Sequence, residues 1–82
     1  MEPYKLAIAR WVKSSMARKG FKYADLSLEL QNKGVVLTPA NLRSKVSKAT
    51  FSADLLVLII QVLGNEDMAI AQILQEADKL SE

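Results

Sequence analysis

The chain has 82 residues, half of them apolar, and it contains no cysteine or histidine. This length predicts a single domain, residues 1–82, and the composition excludes disulfides and Cys/His zinc sites as sources of its stability. The longest apolar run, residues 55–60, is far shorter than the roughly 20 residues that span a bilayer. The chain does not begin with a basic segment followed by an apolar run, the pattern of a signal peptide. We therefore expect a soluble, cytoplasmic protein without membrane contact.

Charge is divided unevenly along the chain. Residues 1–48 contain ten Lys and Arg and three Asp and Glu, a net of +7, whereas residues 49–82 contain one Lys and six acids, a net of −5. The two halves sum to the formal net charge of +2. Because basic patches are the electrostatic footprint of nucleic-acid binding, the asymmetry favours an anion-facing half and a separate acidic half.

Apolar spacing predicts a first helix over about residues 3–18, which Gly20 terminates. Trp11 is expected in the core or at a subunit contact. The core positions that follow helical spacing are Leu6, Ala9, Val12 and Met16.

A second helix is predicted over about residues 23–33, with Gly34 at its end. The apolar run at residues 35–37 is too short for a sheet of its own, so we expect a buried connection there. The apolar face of the second helix is expected to comprise Ala24, Leu26, Ser27, Leu28 and Leu30.

The third helix carries the most informative pattern. Thr38 is a good N-cap, and Pro39 suits the first helical position, where its missing N–H costs nothing. Leu42 and Val46 form a narrow apolar seam at i, i+4. The other side chains include no acid, and they are Asn41, Arg43, Ser44, Lys45, Ser47 and Lys48. Such a helix suits the DNA major groove, which is about 12 Å wide; the alternative is a solvated surface helix that happens to be basic.

The fourth helix is predicted to begin after the N-cap Ser52, with Asp54 in its first turn. It is apolar nearly all round, which indicates a central buried helix. Glu66 and Asp67 are expected to open a fifth helix. Its predicted apolar stripe is Met68, Ile70, Ile73, Leu74, Ala77 and Leu80. The fold class predicted is therefore all-α, a compact bundle of about five short helices.

Enzyme chemistry is not expected. No histidine or cysteine is present to act near neutral pH, and the three glycines each follow a helix instead of forming a phosphate-binding loop. We expect no catalytic residue, no metal, no cofactor and no small-molecule substrate.

The segments KYADLSLEL and LTPANLRSKVSKATFSADLLVLIIQVLG resemble the helix-turn-helix core of the Cro and phage-repressor class. Within that class the chain is most similar to a small bacterial family of unassigned function, in which Asn-(Ile/Leu)-Arg-x-Lys-(Ile/Val)-Ser precedes Phe-Ser and an apolar helix. The matching residues are Asn41, Leu42, Arg43, Lys45, Val46, Ser47, Phe51 and Ser52. The resemblance covers residues 20–64 and implies a lambda-repressor-like helix-turn-helix core.

The resemblance also implies roles for individual residues. The start of the third helix would face base edges, with Arg43 pairing with guanine and Asn41 with adenine. Lys45 and Lys48 would contact phosphates, which position the protein without reading sequence. The complete implied DNA-binding set is Lys22, Tyr23, Thr38, Pro39, Ala40, Asn41, Arg43, Ser44, Lys45 and Lys48.

These expectations favour a DNA-binding transcriptional regulator that reads double-stranded DNA as a homodimer, because two-fold pairing doubles the base contacts on a palindromic site. The fifth helix, together with the first, is the expected dimer surface. The alternative is a protein-interaction module on the same fold: an adaptor, an antitoxin-like partner or an inhibitor. Its affinity would depend only modestly on salt, whereas DNA affinity falls steeply with salt. RNA binding is less favoured, because few aromatic residues are available to stack on bases.

Overall fold

Five α-helices make up most of residues 2–81, the part of the chain that the computed structural model describes. They are α1 (Glu2–Lys19), α2 (Tyr23–Asn32), α3 (Pro39–Lys48), α4 (Ala53–Leu63) and α5 (Ala69–Ser81). The radius of gyration is 12.1 Å, which matches the value of about 12 Å for a compact domain of this length. The all-α prediction is therefore confirmed. The predicted domain, residues 1–82, includes a first and a last position that lie outside the described residues.

The central element is α1, which packs most extensively against α5 and also contacts α3 and α4, while α2 packs on α3 and α4. Its buried residues cover more than half of the helix circumference, and they are Ala7, Ala9, Trp11, Val12, Ser15 and Met16. Leu6, predicted in the core, is instead 46% exposed. Gly20, with φ +71°, ends the helix, and the next N–H, that of Phe21, donates to the Met16 carbonyl at 2.8 Å.

The prediction that α4 is the central buried helix is wrong. Of its apolar residues only Ile59, Ile60 and Leu63 are buried, and Val57 is 56% exposed. The reason is physical: a helix that is apolar all round can be buried all round only if neighbours exist on every side. Here α1 and α2 cover one side of α4.

Trp11 ties α1 to α5. Its side chain is 3% exposed, and its Nε1 donates a hydrogen bond of 2.7 Å to Oε1 of Gln72. Burying an indole N–H without a partner is costly, so this bond satisfies the polar end of a large apolar group. The core position predicted for Trp11 is confirmed.

The apolar face of α2 is narrower than predicted. Leu26 and Leu30 are fully buried, whereas Leu28 is 57% exposed and Ala24 is also exposed. Residues 33–38 connect α2 to α3, a longer connection than the three- to four-residue turn of a standard helix-turn-helix unit. Within it Val35 and Leu37 pack on the core, and the Ser27 hydroxyl donates to the Leu37 carbonyl. The connection is thereby tethered as expected, except at its middle residue, Val36, which is 80% exposed.

The local signals for α3 are confirmed. Thr38 is the N-cap, and its Oγ1 accepts the Asn41 N–H at 3.0 Å, with Pro39 at the first helical position. Leu42 and Val46 are fully buried. The helix ends at Ala49, which adopts the left-handed conformation with φ +53°.

The start and the buried face of α5 differ from the prediction. Residues 66–68 form a turn, and α5 begins at Ala69, not at Glu66 or Asp67. Of the predicted stripe, Ile73 and Ala77 are buried and Leu80 is half-buried, while the exposed members are Met68 (51%), Ile70 (62%) and Leu74 (49%). The inward side of α5 consists of Ala69, Ile73 and Ala77, so two of the three side chains buried there are small, while Ile70 and Leu74 lie outside.

Between residues 2 and 81, no single helix is both long and apolar enough to cross a membrane. Joined together, α3 and α4 have a suitable length and composition, but the chain bends by 109° between them.

Candidate nucleic-acid interface

The surface of α3 that faces away from the core is polar and carries no acid. Successive residues of an α-helix are about 100° apart, so Leu42 and Val46 together mark the buried side. The opposite side contains five residues, all exposed: Ala40, Asn41, Ser44, Ser47 and Lys48. We call these five residues the outer face of α3. It offers an amide, two hydroxyls and one ammonium group to a ligand.

Arg43 lies on one flank of α3 and reaches α2. Its guanidinium carbon is 5.4 Å from the centre of the Tyr23 ring, within the range of a cation–π contact, which at an exposed site stabilises by about 0.5–1 kcal/mol. The same guanidinium borders a surface cleft of about 370 Å³. We call this the Arg43 cleft, and its other lining residues are Lys13, Met16, Ala17, Phe21, Lys22 and Tyr23.

Lys45 lies on the opposite flank of α3, about 160° around the helix from Arg43. It is half-buried and borders a second cleft, of about 510 Å³, between the α2–α3 connection and α4. The second cleft is largely apolar, with Val35, Leu37, Leu55, Val57 and Leu58 among its lining residues. The two flanking cations of α3 therefore face different neighbours.

The cations of the basic half form no close ion pairs with the described residues. Within residues 2–81, the one ion pair shorter than 4.0 Å joins Lys79 to Glu76, at 3.6 Å. None of the ten Lys and Arg side chains between residues 5 and 48 therefore has a described carboxylate within that distance. Their mutual repulsion is unfavourable in the free protein and is relieved when a polyanion binds.

The acidic half contains one carboxyl group with a displaced pKa. A hydrogen bond from the Ser52 hydroxyl, followed by the Leu55 N–H at 3.0 Å, lowers the pKa of Asp54 below its ordinary value. Both bonds favour the charged form of a group in the first turn of α4, where the helix dipole also favours negative charge. This arrangement is a helix cap. Among the residues described, no three His, Cys, Asp or Glu side chains come close enough together to hold a metal ion.

The residues predicted to bind DNA are distributed over three neighbouring surfaces. Thr38 and Pro39 begin α3, and Ala40, Asn41, Ser44 and Lys48 belong to its outer face. Lys22, Tyr23 and Arg43 come together at the Arg43 cleft, and Lys45 stands apart on the other flank. The structure thus places four of the ten on the outer face of α3 and three at the Arg43 cleft, with Thr38 and Pro39 at the start of the helix and Lys45 on the opposite flank.

The DNA-binding set predicted from the sequence omitted three neighbours of this surface. Ser47 was already counted among the polar side chains of the third helix, and its position three residues after Ser44 puts it on the outer face. Lys13 and Phe21 belong to the Arg43 cleft although they precede Arg43 by 30 and 22 residues. No local pattern joins them to α3, and only the packing of α1 against α3 brings them near.

Comparison with known proteins identifies the family. A family model described as a domain of unknown function, DUF6471, matches residues 4–68. Since the match covers well over half of the chain, the protein belongs to the DUF6471 family. The matched segment contains α2, α3 and α4 completely and ends just before α5. No curated protein and no solved structure matches the chain. The expectation of a family without an assigned function is confirmed.

Proposed function

We propose that the protein binds double-stranded DNA by inserting the outer face of α3 into the major groove, and that it acts as a transcriptional regulator. The observation that carries this proposal is the acid-free outer face, flanked by Arg43 and Lys45 without described carboxylate partners. An α-helix with its side chains is about 10–12 Å wide, which matches the width of the groove.

The arrangement of α2 and α3 supports a helix-turn-helix unit of the Cro and phage-repressor class. The two helices are consecutive and pack against each other, and α2 begins at Tyr23, beside Arg43. In such units the first helix lies across the DNA backbone while the second enters the groove. The α2–α3 connection of residues 33–38 is longer than in the standard unit, but its tether through Ser27 and Leu37 holds α3 against the core.

The positions on α3 suggest that some of its residues contact bases and others contact phosphates. Asn41 and Ser44 lie on the outer face, where an Asn can pair bidentately with adenine and a Ser can accept or donate to a base edge. The stack on Tyr23 holds Arg43 on the flank, so we assign it a phosphate contact in place of the guanine contact that the resemblance implied. Lys45 would contact phosphates on the other flank.

The proposal is tested by measuring affinity for random-sequence duplex DNA between about 50 and 200 mM salt. We expect a linear fall of log K with log salt, and a slope that Arg43→Ala and Lys45→Ala each reduce by about 0.9 to 1. Lys79→Ala is the matched control, because it removes a cation that is already paired with Glu76. Absence of wild-type binding at 50 mM salt, or equal slopes for all four proteins, would refute the proposal.

Asn41→Ala separates base reading from phosphate contact. It leaves the charge unchanged, so we expect an unaltered salt slope on random DNA. On a site selected from a random pool, loss of a bidentate contact would weaken binding by about 1–3 kcal/mol. If wild type and variant bind the selected site with equal affinity, Asn41 does not take part in base recognition.

We further propose that the DNA-binding form is a homodimer that pairs through α5. Ile70 and Leu74, four residues apart, form an exposed apolar strip on the side of α5 that faces away from the core. Exposed apolar strips of this kind often mark interaction sites. Ile70→Glu with Leu74→Glu is expected to convert a dimer, measured by sedimentation, into a monomer that binds DNA more weakly. The proposal would be contradicted if the wild type is a monomer in sedimentation and two copies bind one palindromic site without contacting each other.

A second candidate function is docking of a protein partner, and the observation that favours it is the apolar cleft beside Lys45. Val57, 56% exposed, borders this cleft, and Val36 in the adjoining connection is 80% exposed. Val57→Gln distinguishes the two functions, because it makes the cleft more polar without adding a charge beside Lys45. It should abolish partner binding at this cleft if docking is the function, and it should leave DNA affinity unchanged if the outer face of α3 is the site.

A further inference from the structure

The Arg43 cleft joins three parts of the chain that are distant in sequence. Lys13 comes from α1, Lys22 from the connection between α1 and α2, and Arg43 from α3. Its apolar lining includes the rings of Phe21 and Tyr23. The aromatic rings are themselves engaged by cations: Lys19 Nζ is 5.2 Å from the Phe21 centroid, and Arg43 lies over Tyr23. The cleft therefore combines three cationic residues with two aromatic residues on a largely apolar surface.

Charge favours an anion in this cleft. Three cationic side chains line one small volume, and among residues 2–81 no carboxylate lies within 4.0 Å of any of them. The acid nearest in sequence, Asp25, accepts the Lys22 backbone N–H at 2.7 Å as part of the α2 cap, and it does not line the cleft. The three cationic residues are thus free of close ion pairs and available to an anionic ligand.

The position of the cleft favours a phosphate that belongs to a polymer. Arg43 belongs both to the cleft and to α3, so a strand bordering the groove occupied by α3 would pass this opening. An open surface cleft leaves both neighbours of a backbone phosphate free to continue along the strand. Arginine suits this role because its planar guanidinium can bind phosphate oxygens bidentately while it stacks on an aromatic ring.

We infer that the Arg43 cleft binds a backbone phosphate of the bound DNA, with Lys13 as a contact residue, so that the DNA interface extends from α3 onto α1. This inference rests on the proposed function. It assigns a role to Lys13, a residue of the central helix that no sequence pattern connects with α3.

The test compares Lys13→Gln with Lys5→Gln in the salt series on random duplex DNA. Each change removes one exposed cation from α1. The two positions are about 12 Å apart along the helix axis. Because this separation exceeds the screening length of about 8 Å at 0.15 M salt, a phosphate bound near Lys13 interacts only weakly with Lys5. We expect Lys13→Gln to make the slope shallower by about 0.9, equivalent to about 3.5-fold less loss of affinity over a fourfold rise in salt. Lys5→Gln should retain the wild-type slope. Far-UV circular dichroism checks that both variants are folded.

Three outcomes would overturn the inference in distinguishable ways. If Lys45→Ala lowers the slope and Lys13→Gln does not, DNA binding stands and the cleft is not part of it. If the wild type does not bind DNA at low salt, the proposed function itself fails, and the inference with it. The third outcome comes from an NMR titration with inorganic phosphate. If phosphate shifts the amide signals of Lys22 and Tyr23 to saturation, and Lys13→Gln abolishes these shifts without changing the salt slope of DNA binding, the cleft is a site for a free anion.

Discussion

The N-caps of α3 and α4 allow a matched test of the structure. Both are β-hydroxyl residues, Thr38 and Ser52, but the N–H groups they serve are differently placed. Thr38 Oγ1 is the acceptor found for the Asn41 N–H, at 3.0 Å. The Leu55 N–H is 3.4 Å from Ser52 Oγ and has a second, closer acceptor in Asp54 Oδ1, at 3.0 Å. Removing the two hydroxyls should therefore have unequal effects.

We expect Thr38→Ala to lower the free energy of unfolding by about 1 kcal/mol, the usual effect of losing an N-cap. Thr38 is exposed, so water replaces part of the lost bond and the effect stays below the upper limit of about 2 kcal/mol. For a domain of this size, 1 kcal/mol corresponds to a fall of about 4–8 °C in Tm. Ser52→Ala should cost less than Thr38→Ala, because Asp54 retains the Leu55 N–H even though it loses the bond from the Ser52 hydroxyl.

Thermal unfolding followed by far-UV circular dichroism measures Tm, and urea unfolding followed by the fluorescence of Trp11, the sole tryptophan, measures the free energy. Thr38→Ser is the control, since it keeps the capping oxygen and should retain most of the stability. If Ser52→Ala destabilises as much as Thr38→Ala, or if Thr38→Ser is as unstable as Thr38→Ala, the reasoning from cap geometry is refuted.

Three further substitutions probe other local features. Leu42→Ala empties a fully buried site beneath α3 and should cost about 2–5 kcal/mol in urea unfolding; a cost below 1 kcal/mol would contradict its core position. Ala49→Gly relieves a left-handed φ of +53° and should leave Tm unchanged or raise it by a few degrees, whereas a fall would show that the Ala49 methyl group contributes packing. Asp54 has a lowered pKa in the folded protein, so its contribution to stability is complete above a pH of about 4 and is lost as pH falls through the folded pKa. The Tm advantage of wild type over Asp54→Asn should therefore shrink on acidification, and a constant difference would contradict the hydrogen bonds from Ser52 and Leu55.

The sequence predicted the features of the fold that depend on neighbouring residues. The cap at Thr38, the proline after it and the cap at Ser52 are each recognisable within a few residues, because an N-cap bond spans only three positions. The starts of α3 and α4 were consequently predicted correctly. The start of α5 was not, since residues 66–68 continue as a turn before the helix begins.

The sequence could not determine which apolar faces are covered. Hydrophobic spacing marks α4 as apolar all round and assigns Ile70 and Leu74 of α5 to the same stripe as Ile73. The structure makes α1 the central helix instead, and it leaves Val57, Ile70 and Leu74 exposed. Burial depends on which helices are available as neighbours, and that is a property of the whole packing arrangement.

The candidate interface likewise has one part that the sequence predicted and one part that depends on tertiary packing. The acid-free polar side of α3 was visible in ten consecutive residues, because a regular helix converts spacing directly into a face. That Lys13 joins Lys22 and Arg43 was decided by tertiary structure alone, since Lys13 lies on α1 and comes near Arg43 only when α1 packs against α3.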